Sequence, residues 1–498
     1  MRIFFSGGVQ NLVRAAMLAA FTFLAVGATF GQSTSAPASS GETPEDPFTV
    51  EWLIGDSVSL SNQKYPEVES AIQRFKNGDV AGAKEFLDAA FKKNPKLPPT
   101  EVSLSKMFFV ARDVERGRML LEAAITTTPA DPEAYLLLAD QSFAEGRTAE
   151  SHAMFTMAQS MVNKFNDSPK RRRNFDIKVL AGLAAVQERR QQWSAAETLL
   201  KKWLEFDPDS VAAHQRYGVV LYKLNNSAQA LAEFAKCRKL QATYQHPQVT
   251  LGQLYYQEGK KDEAKQAFEK AYAEEPANET TARSYAEWLI QQNELEKAQT
   301  VSTELRKKAP ESTNAILLDG LVAKMRSDRK AAEDAFMKVI VLDPSNARAT
   351  DLLALLLAES TNVKDKERAL SYAQNNAQRF AQSTKAQVTL VWVLNQLNRT
   401  KESDEMLGRI LQAGGQLDAD SIYLVSRILV AKGKKAEALT TLKQVLSQSA
   451  AAFLYRKEAE KLVKDLETEG VKPSAVGVPG APPAAAPPTT PPAAPPAK

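Results

Sequence analysis

Cysteine and histidine are scarce in this 498-residue chain: one cysteine, Cys237, and three histidines, His152, His214 and His246. A single thiol cannot close an intramolecular disulfide, so the fold must be held by packing. No histidine has another His or Cys at metal-ligand spacing, which excludes a compact zinc motif. A Walker-type phosphate loop, GxGxxG after a strand, HExxH, GxSxG and paired CxxC are all missing. The SxxK matches at 103–106 and 327–330 lack companion SDN and KTG elements, so both read as chance matches. The net charge of +4 is small for the length and creates no global field towards nucleic acid or anionic lipid. The expectation is therefore a non-enzymatic chain with no catalytic residue, metal site or cofactor, whose partner is recognised locally.

What is present can build a large core. The composition is 44% apolar and 24% charged, and the length alone suits roughly three or four ordinary domains. Residues 1–31 stand apart: Arg2 and Arg14 precede the apolar run AAMLAAFTFLAVGATF, followed by small and polar residues. That layout predicts a signal peptide cleaved after Gly27 or Gly31, since 16 apolar residues fall short of the roughly 20 that span a bilayer. An uncleaved N-terminal anchor is the alternative, and membrane contact is expected only in that case. Removing the two arginines leaves a net charge of +2.

From 251 to 276 the chain reads LGQLYYQEGKKDEAKQAFEKAYAEEP. Leu251, Leu254 and Tyr255, then Ala264, Ala267, Phe268 and Ala271, recur at spacings of three, four and seven, which predicts two helices separated at Gly259 and Lys260. Small residues at Gly252, Ala264 and Ala271 let two antiparallel helices approach, Tyr255 and Phe268 fill the space between them, and Pro276 stops the second. A hairpin of this size cannot bury its own apolar faces, so the pattern should recur. Pro208, Pro276, Pro310 and Pro344 do lie on a 34-residue grid, as do Pro95 and Pro129. About eleven hairpins are expected between Tyr65 and Gln448.

This pattern resembles the tetratricopeptide repeat family, matched here by Leu251, Gly252, Tyr255, Ala264, Phe268, Ala271 and Pro276, with Gly320, Ala332, Phe336 and Pro344, Ala286, Ala298 and Pro310, and Ala184, Ala196 and Pro208 in other units. The resemblance implies an all-α, right-handed superhelical solenoid of antiparallel helix-turn-helix repeats. It also implies that one face of each first helix lines a groove for a protein or peptide. Carried over by position, the groove residues are Gln215, Tyr222 and Lys223; His246, Gln253, Tyr256 and Gln257; Arg283, Glu287 and Gln291; and Lys324. Amides and aromatics at such positions suit an extended peptide backbone.

The expected organisation follows the repeat. Residues 32–63 form a flexible lead and a short apolar segment, FTVEWLIGDSVSL, that packs on the first hairpin or on a partner. Repeats fill 64–163; KFNDSPKRRRNF supplies about eleven extra residues, giving a basic insertion loop at 164–176; the main array runs over 177–448 with about three extra residues near 361–367. A capping helix is expected at 449–470 and a disordered Pro/Ala-rich tail at 471–498. Lys170, Arg171, Arg172 and Arg173 read as a solvated patch, with an acidic polymer or lipid headgroups as the alternative ligand. Cys237, at a small-residue position, reads as a buried inert thiol, and Trp193, Trp203 and Trp288 as packing residues. Together these features predict an exported scaffold, periplasmic or in the cell envelope, that binds a protein or peptide and organises an envelope complex, with an accessory role in envelope polysaccharide export as the alternative.

Overall fold

The computed structural model describes residues 48–474 apart from 59, 61–62, 413–416 and 449–452. The expected signal peptide and nearly all of the Pro/Ala-rich tail lie outside the described residues. Among those described there are 24 α-helices and no strand. A one-turn helix, Val50–Ile54, comes first and Arg456–Thr468 comes last; the 22 helices between them pair into eleven antiparallel hairpins, from Pro66–Lys76 with Val80–Lys93 to Ala419–Ala431 with Lys435–Gln448. The repeat array is therefore present in the expected number. None of the described helices is long and apolar enough to cross a membrane.

Each hairpin is fixed by chemistry that recurs with the repeat. From the fourth hairpin on, first helices begin at side-chain caps, with Ser210, Asn278, Ser312 and Asn346 among those accepting from backbone N–H groups of the first turn. In ten of the eleven hairpins the turn to the second helix passes through one residue in the left-handed region: Gly78, Arg112 and Gly146, then Gln191, Asn225, Gly259, Asn293 and Ser327, and finally Asn398 and Gly433. Within each of the first two groups the step is 34 residues. From 146 to 191 it is 45, eleven above the period, and from 327 to 398 it is 71, three above two periods. The two insertions inferred from the sequence are thus recorded in the backbone itself.

Inside the hairpin a glycine on the first helix faces an aromatic ring. A Cβ built on Gly218 would lie 2.5 Å from the Phe234 ring, and one on Gly320 would lie 2.6 Å from Phe336. Gly252 stands less tightly over Phe268, at 3.1 Å. Alanines at 230, 264, 298 and 332 are fully buried on the facing helices. Only side chains this small allow the helices close enough for the ring to fill the space between them.

The chain divides into two compact units, one ending at Tyr244 and the other beginning at Gln245. The boundary does not fall at the basic insertion, which is not a loop beyond residue 168. Ser168 caps and Pro169 opens the 21-residue helix Pro169–Arg189, so most of the insertion lengthens a first helix at its N-terminus. Nor is Arg171 solvated: it is buried against Asp131 (2.7 Å) and Glu133 (2.8 Å), between the rings of Phe165 and Phe175. Burial alone would raise the Glu133 carboxyl, but the Lys106 and Arg171 charges outweigh it and hold it down to about 2. The basic run is consumed in holding the first unit together.

Two substitutions with the same chemistry should have opposite signs. Gly320→Ala forces Phe336 to move and should destabilise by about 1–2 kcal/mol despite the better helix propensity of alanine. Gly408→Ala, in the helix Thr400–Gln412 with nothing within 4 Å of the added methyl, should stabilise by up to about 1 kcal/mol. Urea denaturation followed by helicity checks both.

Candidate binding site

The first helices carry the residues that the repeat register assigns to a groove, and the second unit shows how they face one another. There, Glu279–Gln292 touches Thr313–Met325, and Ala347–Ala358, Thr384–Gln396 and Ala419–Ala431 touch in succession. The Arg348 guanidinium, at the start of Ala347–Ala358, reaches back past a whole hairpin to Glu287 (2.9 Å). Residues two hairpins apart meet only on the inside of a curve, so this face of the unit is concave. Arg283 lies one turn before Glu287 on the same helix face.

The curve ends in an aromatic shelf. Tyr423 and Tyr455 stack with centroids 5.0 Å apart, and the Lys324 ammonium lies 5.3 Å from the Tyr455 ring. The Arg427 guanidinium lies 5.3 Å from Trp392 and 5.8 Å from Tyr423, and it donates to the Tyr423 hydroxyl (2.9 Å). Most of the acids on this face are engaged: Glu287 with Arg348, Glu359 with Lys324 (3.2 Å), and Asp418 and Asp420 with Lys385 (3.0 and 3.5 Å), while the exposed Glu458 carboxylate acts on both Tyr423 and Tyr455. Among the described residues, Arg283 and Arg427 have no ion-pair partner. The face therefore carries a positive surplus beside stacked rings.

Residues 255–324 match a family model described as tetratricopeptide repeat. With eleven hairpins in the same register, the assignment is direct. Residues 255–324 carry tetratricopeptide repeats, and the other hairpins of the array share their architecture. A TPR repeat-containing protein of Pseudomonas aeruginosa is 31% identical over 157 residues, or 30% of this chain, and the chain spans only 25% of that relative's length. Among solved structures, yeast Tom70 is 12% identical with 81% of this chain and 95% of that chain covered, at a TM-score of 0.35. A tetratricopeptide repeat protein of Parabacteroides merdae is 17% identical with 59% and 98% covered, at 0.28. Neither superposes closely enough to carry over a site.

Within this repeat array the groove positions have unequal fates. Gln215 is exposed, and Gln257, Arg283 and Gln291 are half-buried with surface to offer. Gln253 accepts from Gln245 (2.9 Å) and Glu287 pairs with Arg348. Tyr222 and Tyr256 depart from the expectation, keeping only 3% and 7% of their surface exposed. Rings near the ends of first helices are taken up by packing, Tyr256 in the core of the second unit and Tyr222 beneath the Lys223 ammonium at 5.7 Å. The Lys324 side chain is 8% exposed between Glu359 and Tyr455, so its charge is spent internally. His246 begins a helix as its cap and lies 3.1 Å from Glu274. His214 is held by Glu233 (2.6 Å) and the Pro208 carbonyl, and burial pushes the Cys237 thiol up to about 11.

Arg348, Trp392, Tyr423, Arg427 and Tyr455 escaped the sequence reading. Arg348 sat in the unbroken register, three periods after His246; for the others the signal was the same register carried past the three-residue insertion, where the prolines that made it visible stop. Asp351, on the same helix as Arg348, is buried and accepts from Asn376 (2.8 Å); burial lifts its carboxyl to about 6 despite Asn376 and Lys385. A raised folded-state value means the native protein holds this proton more tightly than the unfolded chain does. Stability from this group is thus greatest at acid pH and falls as pH rises from about 4 to about 6. Asp351→Asn should stabilise by roughly 1–3 kcal/mol at pH 8 and by little at pH 4, read from urea midpoints at the two pH values.

Proposed function

We propose that the chain is a non-enzymatic scaffold that binds an extended protein segment on the concave face of its second unit and organises a complex in the cell envelope after export. Tetratricopeptide arrays build continuous binding surfaces from stacked first helices, and their function lies in what those surfaces hold. The observation that carries the reading is Arg427, without an ion-pair partner, lying over Trp392 and Tyr423: an exposed cation on an aromatic shelf, with most of the neighbouring acids already paired. Such a shelf favours a segment that brings carboxylates and apolar side chains together. Gln257, Gln291 and Arg283 extend the polar contacts along the same unit. The export step rests on the N-terminal layout, and the envelope setting rests on export.

The test is capture from an envelope extract by the full mature chain beside an Arg283→Ala/Arg427→Ala variant of equal helicity. Loss of a protein partner in the variant supports the concave face as the site. Undiminished capture by the variant removes the face from the function. Retention of envelope polysaccharide in place of protein supports the accessory role in polysaccharide export. N-terminal sequencing of the native protein, with a start after Gly27 or Gly31, checks the export step.

A further inference from the structure

Two features of the first unit lie outside the repeat, and they meet each other. One is the segment 48–58, N-terminal to the first hairpin. The other is the insertion that lengthens the helix Pro169–Arg189. The segment opens with Phe48 against Phe75 (5.8 Å), whose ring in turn meets Phe108 (5.0 Å). Its single helical turn, capped by Thr49, touches the first helices Pro66–Lys76 and Thr100–Val110 and buries Leu53 and Ile54 to 1% exposure. Past Ile54 the chain, with Val58 still in the core of that hairpin pair, also meets the fourth hairpin.

There it is held by its backbone. The Lys170 ammonium donates to the carbonyls of Gly55 and Val58 (3.0 Å to the latter), and Asn174 Nδ2 donates to the carbonyl of Asp56 (2.9 Å). Ser168 Oγ lies 3.4 Å from the Ser57 carbonyl, and Lys178 reaches the Asp56 carboxylate at 3.4 Å. Three of these four donors, Ser168, Lys170 and Asn174, belong to the inserted residues. Aliphatic anchors set in apolar pockets, with side chains grasping consecutive main-chain carbonyls, are the means by which a protein reads a bound peptide. A cap over the end of the array would need only the first hairpin, whereas this segment spans first helices from the first to the fourth.

We infer that the face formed by the first helices of the first unit is a peptide-binding surface, occupied in cis by residues 48–58, with the insertion as its clamp. The competing partner is a protein segment of the same chemistry: an aromatic residue, two adjacent aliphatic residues five and six positions on, and a turn that leaves its carbonyls open. This is a second surface, independent of the one proposed for the second unit, and it is closed until its resident segment lets go.

The probe is a fluorescently labelled synthetic peptide of residues 46–60, added to the full chain carrying Leu53→Asp and Ile54→Asp, which ejects the resident segment. Anisotropy should show the peptide binding this variant at least tenfold more tightly than the wild-type chain. A peptide with the same two substitutions should not bind, and adding Lys170→Ala and Asn174→Ala to the variant chain should weaken binding at least tenfold. The inference is overturned if the variant keeps its helicity and takes up no peptide, or if wild type and variant bind equally. It is also overturned if the variant loses the helicity of its N-terminal hairpins, because the segment is then part of the core and not an occupant.

Discussion

The structure depends on the distance between the two helices of each hairpin. Where a glycine faces a phenylalanine, as at Gly218 with Phe234 and Gly320 with Phe336, the ring lies where a side chain would otherwise begin. That closeness sets how much apolar surface a hairpin seals internally and how much it leaves for its neighbour. The remainder is too large to expose and too small to form a core alone, so stacking is obligatory. The order of small residue, aromatic residue and helix stop is therefore the local condition for a long array.

Both departures from that condition acquire a role. In the first unit the inserted residues extend a first helix, sink Arg171 between two carboxylates and two rings, and present Lys170 and Asn174 to the segment ahead of the array. Removing one partner of such a buried set leaves uncompensated charge, so the set stands or falls together. In the second unit the array continues beyond the prolines, and its inner positions change from amides to tryptophan, tyrosine and arginine. The same scaffold thus offers two unlike surfaces, one grasping backbone carbonyls and the other pairing cation with ring.

The sequence made the hairpins legible because periodicity is a local property: the 34-residue step survives in prolines, alanines and left-handed turn residues alike. Tyr222 and Tyr256 were misjudged for a related reason, since register fixes a residue's direction but not whether a neighbouring first helix fills the space in front of it. The insertion was read as a loop because four consecutive basic residues suggest solvent, although Ser168-Pro169 is a helix-start signal that outranks composition. Arg171 could be sunk only because Asp131 and Glu133, about forty residues earlier, meet it. No local pattern announces that meeting. The aromatic shelf was hidden for the opposite reason, as its register continued but its punctuation did not.

The tie between residues near 56 and 174 also determines how the molecule would bear load. An array of independent hairpins pulled from its end peels one unit at a time, each releasing a contour of about 110–120 Å for 34 residues. Here a pull at the N-terminus would reach the first two hairpins through Phe48, Leu53 and Ile54, and the helix Pro169–Arg189 through the Lys170 and Asn174 contacts. Tension applied there would load four hairpins in parallel before any could unzip. The N-terminal unit would resist as a block.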